Sequence, residues 1–91
     1  MALYMVSYDL RQPGRNYGPV YKLLALWGAS RLLESLWLVA SALPVTTLRD
    51  QLRQYVDAND GVAVIELSAG SSWATSNVQP AGSRWLQLNI P

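Results

Sequence analysis

The sequence feature that most constrains the fold is an alternation between strand-like and helix-like hydrophobic patterns. Residues 3–10 read LYMVSYDL, a short run rich in Val, Tyr and Leu that precedes the turn signal Pro13-Gly14 and is typical of a strand. The next apolar residues recur at the spacing of one helical face: Val20, Leu23, Leu24 and Trp27. These patterns predict a strand over residues 3–10 and a helix over residues 18–27.

The alternation continues through the rest of the chain. Residues 30–42, SRLLESLWLVASA, are apolar enough for buried strand structure, and the sequence leaves open whether they form one bent strand or two short ones. A second amphipathic helix follows Pro44, and its apolar face consists of Leu48, Leu52, Tyr55 and Val56. Residues 62–68 are predicted to form a strand, and residues 84–90, RWLQLNI, a last strand.

This order of elements predicts a single α+β domain over residues 1–91. If residues 30–42 are two strands, the order is the β-α-β-β-α-β pattern of the ferredoxin-like sandwich, with a core over residues 3–68 and an extra C-terminal strand at residues 84–90. Both helices would then pack on one face of an antiparallel sheet. The opposite face would be left without a cover and would need a partner.

The composition also favours a partner. Half of the 91 residues are apolar, including four Trp and five Tyr, which is a large supply for the thin core of a chain this size. We therefore expect a homodimer. The net charge of +1 excludes a strongly basic nucleic-acid-binding protein, but six of the seven basic residues are arginines, the residue type best suited to hold phosphate.

The residue types that are missing narrow the chemistry. The sequence has no Cys and no His, which excludes thiolate or imidazole metal sites, a Ser-His pair and an imidazole general base. Catalysis would therefore depend on carboxylates, hydroxyls, arginines or Lys22, together with a hard metal such as Mg²⁺. We expect a cytoplasmic protein, since no signal peptide and no membrane-spanning apolar run can be recognised.

The order and spacing of several short motifs resemble a known family. The apolar first strand ends in Tyr8-Asp9, a helix and Gly28 follow, and the next apolar segment contains Ser35, Trp37 and Val39. Over about two thirds of the chain, residues 3–67, this pattern resembles the CRISPR-associated protein two superfamily, and within it most closely the SinR-like branch, a superfamily that also includes VapD-type toxins.

The resemblance implies both an assembly and a site. It implies a ferredoxin-like homodimer packed sheet against sheet, in which the C-terminal strand adds to the partner's sheet. In family members described as nucleases, the aspartate at the end of the first strand binds a divalent metal between the two copies, and this residue corresponds to Asp9. In the same function, Arg11, Arg15 and Arg31 would hold the flanking phosphates of RNA or DNA, and Ser35 would contact phosphate.

Two functions are consistent with these residues. The first is a metal-dependent nuclease that uses Asp9 as a Mg²⁺ ligand. The second is a non-catalytic dimer that binds a protein or a nucleic acid in prokaryotic or phage defence, counter-defence or a toxin-like system. In the second case, Asp9 would have a structural role and would accept hydrogen bonds from backbone amides of the turn that follows.

Overall fold

The computed structural model describes residues 1–11 and 16–91, and these residues form a four-stranded sheet and three helices. In chain order the elements are β1 (Ala2–Asp9), α1 (Gly18–Leu26), β2 (Ser30–Leu33), β3 (Leu36–Ser41), α2 (Val45–Arg53), β4 (Gly61–Leu67) and α3 (Pro80–Asn89). The predicted α+β class is therefore confirmed. Residues 30–42 form two strands joined by a tight turn at Glu34-Ser35.

The sheet has the strand order β2-β3-β1-β4, and each neighbouring pair is antiparallel. Helix α1 connects β1 to β2 past β3, and α2 connects β3 to β4 past β1. This arrangement is compatible with a ferredoxin-like sandwich. It makes β1 a central strand, hydrogen-bonded on both sides, whereas β2 and β4 are the two edges of the sheet.

The main core lies between the sheet and the first two helices. Nine buried residues form it: Tyr4, Val6, Tyr8, Val20, Leu24, Trp37, Val39, Leu48 and Leu52. The members from β1 alternate along the strand, as expected for a strand with one face on a core. Helix α1 ends where Gly28 adopts a φ of 74°, the left-handed conformation that favours glycine after a helix.

The predicted strand at residues 84–90 is wrong, because residues 84–89 lie within helix α3 and Ile90 follows its end. The alternation of Trp85, Gln87 and Asn89 with leucines suggested a strand, but Pro80 in the first turn starts a helix. The helix buries Trp85 and Leu86, and with Ile90 just beyond its end they form a second core against Leu32 and Leu38. The extra C-terminal element is therefore not available to extend a partner's sheet.

Helix α3 divides the second face of the sheet, which we call the outer face, into two halves. It packs on the half formed by β2 and β3. On the half formed by β1 and β4, Leu3, Met5 and Leu67 pack against the edge of this second core, whereas Ile65 is 48% exposed. A sheet-against-sheet dimer over the whole outer face is therefore incompatible with the position of α3.

The helices of this domain are short. The three described helices contain nine, nine and ten residues. Across residues 1–11 and 16–91, no helix has the length and the continuous apolar character that a membrane crossing requires.

We predict that Gly82→Ala destabilises the protein, because α3 crosses β2 at this glycine. A Cβ atom on Gly82 would lie 2.5 Å from the Leu32 Cα and 2.8 Å from the Arg31 carbonyl oxygen, so the helix would have to move away from the strand. The expected loss in the free energy of unfolding is about 1–3 kcal/mol, measured by urea denaturation. Gly70→Ala is the matched control, since a Cβ there meets nothing within 4 Å; equal stability of the two variants would contradict this packing.

Candidate functional site

The end of β1, the β2–β3 turn and helix α1 enclose a cleft at one end of the sheet. The cleft has a volume of about 270 Å³ and is lined by Tyr8, Asp9, Leu10, Tyr21, Glu34 and Ser35. The fold thus brings together two of the predicted site residues, Asp9 and Ser35, that are far apart in the sequence. Arg31 lies beside the cleft, since its guanidinium group contacts Tyr21 and Glu34.

Tyr8 holds the floor of this cleft in place. Its hydroxyl donates a hydrogen bond to the Glu34 carbonyl oxygen at 2.9 Å and accepts one from the Trp37 Nε1 at 3.0 Å. The backbone amide of Tyr8 donates to the Ser35 carbonyl oxygen at 3.1 Å. These bonds tie the β2–β3 turn to the end of β1, so the position of Glu34-Ser35 depends on the central strand.

The environment of Tyr8 also changes its acidity. Burial raises the pKa of the Tyr8 phenol above its usual value of 10.0, although the hydrogen bond from Trp37 and the positive charge of Arg31 act in the opposite direction. Tyr8 is therefore neutral at physiological pH and is a hydrogen-bond donor that fixes the turn.

Arg31 is held in one orientation by contacts that leave its positive charge without a carboxylate partner among the described residues. Its Nε and Nη2 atoms donate to the Glu34 carbonyl oxygen at 3.1 and 2.5 Å, and its Cζ lies 4.9 Å from the Tyr21 ring centroid and 5.2 Å from that of Trp37. These are cation–π distances. Arg31 also interacts with the Tyr8 hydroxyl, and no carboxylate of residues 1–11 and 16–91 forms an ion pair with Arg31.

Asp9 lies at the outer end of the cleft, and its side chain is 68% exposed. One carboxylate oxygen accepts a hydrogen bond from the Arg11 Nε at 2.9 Å. In the turn role, Asp9 would accept a hydrogen bond from the backbone amide two residues later in the chain, that of Arg11. This amide instead donates to the Asp60 Oδ1 at 2.7 Å. Asp9 is therefore an exposed, ion-paired carboxylate, and the Arg11 amide is bonded by Asp60 instead.

Arg11 connects the end of β1 to the loop before β4. Besides Asp9, its guanidinium group donates to the Asn59 carbonyl oxygen at 2.9 Å. Asp60 in the same loop also accepts from the Tyr17 hydroxyl at 2.9 Å and from the Asp57 amide at 2.8 Å. Arg11 thus has a structural function in addition to any role toward phosphate.

The predicted residue Arg15 lies outside the described residues. Arg11, Arg31 and Ser35 are described and lie around the same end of the sheet as Asp9. Glu34 also lines the cleft, and the sequence did not indicate that it would lie near Asp9. The hairpin turn between β2 and β3 places it there, and this turn becomes recognisable only when residues 30–42 are divided into two strands.

One copy of the chain does not supply a complete site for a divalent metal. Within residues 1–11 and 16–91, no group of three or more acidic side chains is close enough to hold an ion. Asp9 and Glu34 line the same cleft, but Asp9 is already paired with Arg11. A Mg²⁺ ion at Asp9 would therefore need ligands from a second copy or from a bound phosphate.

Comparisons with known proteins do not identify this chain. No protein-family model matches it, and no solved structure matches it. The chemistry of the site must therefore be inferred from the residues themselves.

We predict that Tyr8→Phe lowers the free energy of unfolding by about 1–3 kcal/mol at neutral pH, because the buried Trp37 N–H loses its acceptor. The raised pKa of Tyr8 adds a pH dependence: above about pH 10 the unfolded phenol ionises while the folded phenol stays protonated, so the wild type loses stability as the pH rises. The advantage of the wild type over the variant should therefore shrink above about pH 10 in urea denaturation.

Tyr55→Phe is the control for this prediction, because Tyr55 is 39% exposed. A stability difference between wild type and Tyr8→Phe that stays constant through the alkaline range would contradict the buried, hydrogen-bonded state of the Tyr8 phenol.

Proposed function

We propose that the protein is a homodimeric, nucleic-acid-associated protein that binds a phosphate backbone at the cleft at the end of β1. The observation that carries this proposal is the state of Arg31. Its guanidinium group is fixed beside the cleft by Glu34 and two aromatic rings, while no carboxylate of the described residues neutralises its charge. A fixed guanidinium group loses little side-chain entropy when it binds the oxygens of a phosphate.

Other residues of the cleft support a backbone contact. Ser35 is exposed in the β2–β3 turn, and its hydroxyl is suited to donate to a phosphate oxygen. Tyr21 lines the cleft and is stacked with Trp37 at an interplanar angle of 17°. Trp37 is buried, and Tyr21 is already in contact with Trp37 and Arg31. Because these rings are engaged within the protein, we expect recognition of the backbone with little dependence on base sequence.

The charge balance sets the strength of the interaction. With a net charge of +1, and with Arg11 paired to Asp9, few cations are available for phosphates. For single strands, the slope of log affinity against log salt is about 0.7 for each phosphate neutralised, so a protein of this kind should show a shallow salt dependence.

A homodimer is supported by apolar side chains that the single chain leaves in contact with solvent. Ile65 on the outer face, Leu26 on α1 and Leu88 on α3 are 48%, 83% and 75% exposed. Surfaces of this kind on a small protein commonly mark interfaces. A role in defence, counter-defence or a toxin-like system follows only from the family resemblance and belongs to the same proposal.

The second candidate is the metal-dependent nuclease, and one observation favours it. The Asp9 carboxylate is exposed at the edge of the cleft and is not covered by Trp37 or by Trp85, both of which are buried in the two cores. The metal ligands that one copy supplies are too few, however, so we propose binding as the first function and hydrolysis as the second.

We predict that Arg31→Ala weakens binding of labelled single-stranded RNA or DNA by about fivefold or more, because one charge-assisted contact is lost. Fluorescence anisotropy at several salt concentrations measures this, and circular dichroism checks the fold. Arg84→Ala is the matched control, since Arg84 is exposed on α3, away from the cleft. Equal losses in the two variants, or no binding by the wild type, would contradict the proposed cleft.

We predict that wild-type protein with Mg²⁺ or Mn²⁺ does not cleave labelled RNA or DNA, because one copy lacks a third ligand near Asp9. The same assay with Asp9→Asn is the control, as this change keeps the shape of the side chain and removes its charge. Metal-dependent cleavage by the wild type that is lost in Asp9→Asn would overturn the binding function in favour of the nuclease.

A further inference from the structure

The two edges of the sheet differ in how they are protected. Edge strand β2 has four residues and a register shift between Arg31 and Leu33, and the Gln79 amide donates to its Leu32 carbonyl oxygen at 2.9 Å. Edge strand β4 has seven residues in continuous register with β1. Its sequence, GVAVIEL, contains no Pro, Lys or Arg, and Glu66 is its one charged residue, which would therefore need a cationic partner if this edge pairs.

The backbone groups at the free edge of β4 can be identified from the sheet. The Tyr8 amide donates to the Ser35 carbonyl oxygen, so the even-numbered residues of β1 bond toward β3 and the odd-numbered ones toward β4. The β4 residues opposite those odd-numbered residues, such as Ala63 and Ile65, therefore bond to β1. The N–H and C=O groups of Val62, Val64 and Glu66 point away from the sheet.

We infer that β4 pairs with β4 of a second copy of this chain, antiparallel and centred on Val64. Val64 is the middle residue of Gly61–Leu67, so this centre is the one that uses the whole strand. A two-fold axis there places Val64 opposite Val64 of the second copy, and Val62 opposite Glu66 of the second copy. Every outward backbone group of these three residues then has a partner, as in an isologous dimer.

The side chains on the helix side of the sheet support this register by charge. Glu66 would lie next to Val62 of the second copy, and Val62 borders a cavity of about 470 Å³ that is also lined by Arg49 and Arg53. Arg49 is paired with Asp50, but Arg53 makes no ion pair in the described part of the chain. Asp57 and Asp60 in this cavity are already bonded. Arg53 is thus a suitable partner for the incoming carboxylate.

The side chains on the outer face support the same register by apolar contact. The non-bonded pairs on that face would place Ile65 opposite Ala63 of the second copy. Ile65 is 48% exposed in the single chain, and the pairing would bring the Ala63 methyl group of the second copy against one side of it. The two four-stranded sheets would become one continuous sheet with α1 and α2 of both copies on the same side.

This dimer specifies the assembly in the proposed function and has a consequence for Asp9. Asp9 pairs with Gly61, three residues from the two-fold axis along the strand. With a rise of about 3.4 Å per residue and about 4.8 Å between strands, the two Asp9 residues would be about 25 Å apart. One metal ion cannot be shared over this distance, so the dimer would present two separate clefts.

The test is a charge exchange at the interface, measured by sedimentation without nucleic acid so that it is independent of the binding function. The molecular mass of the wild type obtained from sedimentation should be twice the 10.1 kDa of one chain. Glu66→Arg and Arg53→Glu should each raise the dimer dissociation constant by about tenfold or more, and the double variant should restore it to within about threefold. Arg84→Glu, on exposed α3 surface, is the matched control.

Two results would overturn the inference. If the wild type remains monomeric, β4 does not pair with a second copy of the chain. Its edge would then be available to a strand of another protein instead. A dimer that is unaffected by both single changes, while each variant keeps the melting temperature of the wild type, would place the interface elsewhere on the surface.

Discussion

The structure depends on the double pairing of its first strand. Strand β1 is hydrogen-bonded to β3 on one side and β4 on the other, and its residues alternate between two cores. Tyr4, Val6 and Tyr8 face the helices, whereas Leu3 and Met5 face the outer side. A one-residue shift of this strand would exchange both sets and disrupt both cores at once. The register of β1 therefore also fixes what lies at its end.

The cleft is a consequence of this register. Tyr8 is at once a core residue and the anchor of the β2–β3 turn, so the turn that carries Glu34 and Ser35 is placed against the end of β1. Arg31 is then oriented by the same carbonyl oxygen that accepts the Tyr8 hydroxyl. The core thus pre-organises a cation beside an open cleft. The function that we propose, binding of a phosphate backbone rather than its hydrolysis, rests on this arrangement and on the lack of a group of three or more acidic side chains that could hold a metal ion among the described residues.

Local patterns predicted the elements up to β4, but not the long-range contacts. The helices followed from the spacing of residues such as Val20 and Leu24 or Leu48 and Leu52, which are buried as expected. Helix α3 was missed because a six-residue alternation outweighed the start signal of Pro80. The proximity of Glu34 to Asp9, and the network of Arg11 with Asp60, depend on strand order and loop closure, which hydrophobic periodicity does not encode. Ser35 was singled out as a phosphate contact through the family resemblance, and its position in the same cleft as Asp9 follows from the β2–β3 turn.

The distance between the two copies of Asp9 tests the central claim, that the protein is a binding dimer with separate clefts. Because the sequence has no Cys, Asp9→Cys introduces a single site for a spin label, and double electron–electron resonance then measures the distance within the dimer. The β4-paired dimer predicts about 25 Å, broadened by the reach of the labels. Strong dipolar broadening from labels within about 10 Å, the separation that carboxylates sharing one ion would require, would contradict the claim and support the nuclease.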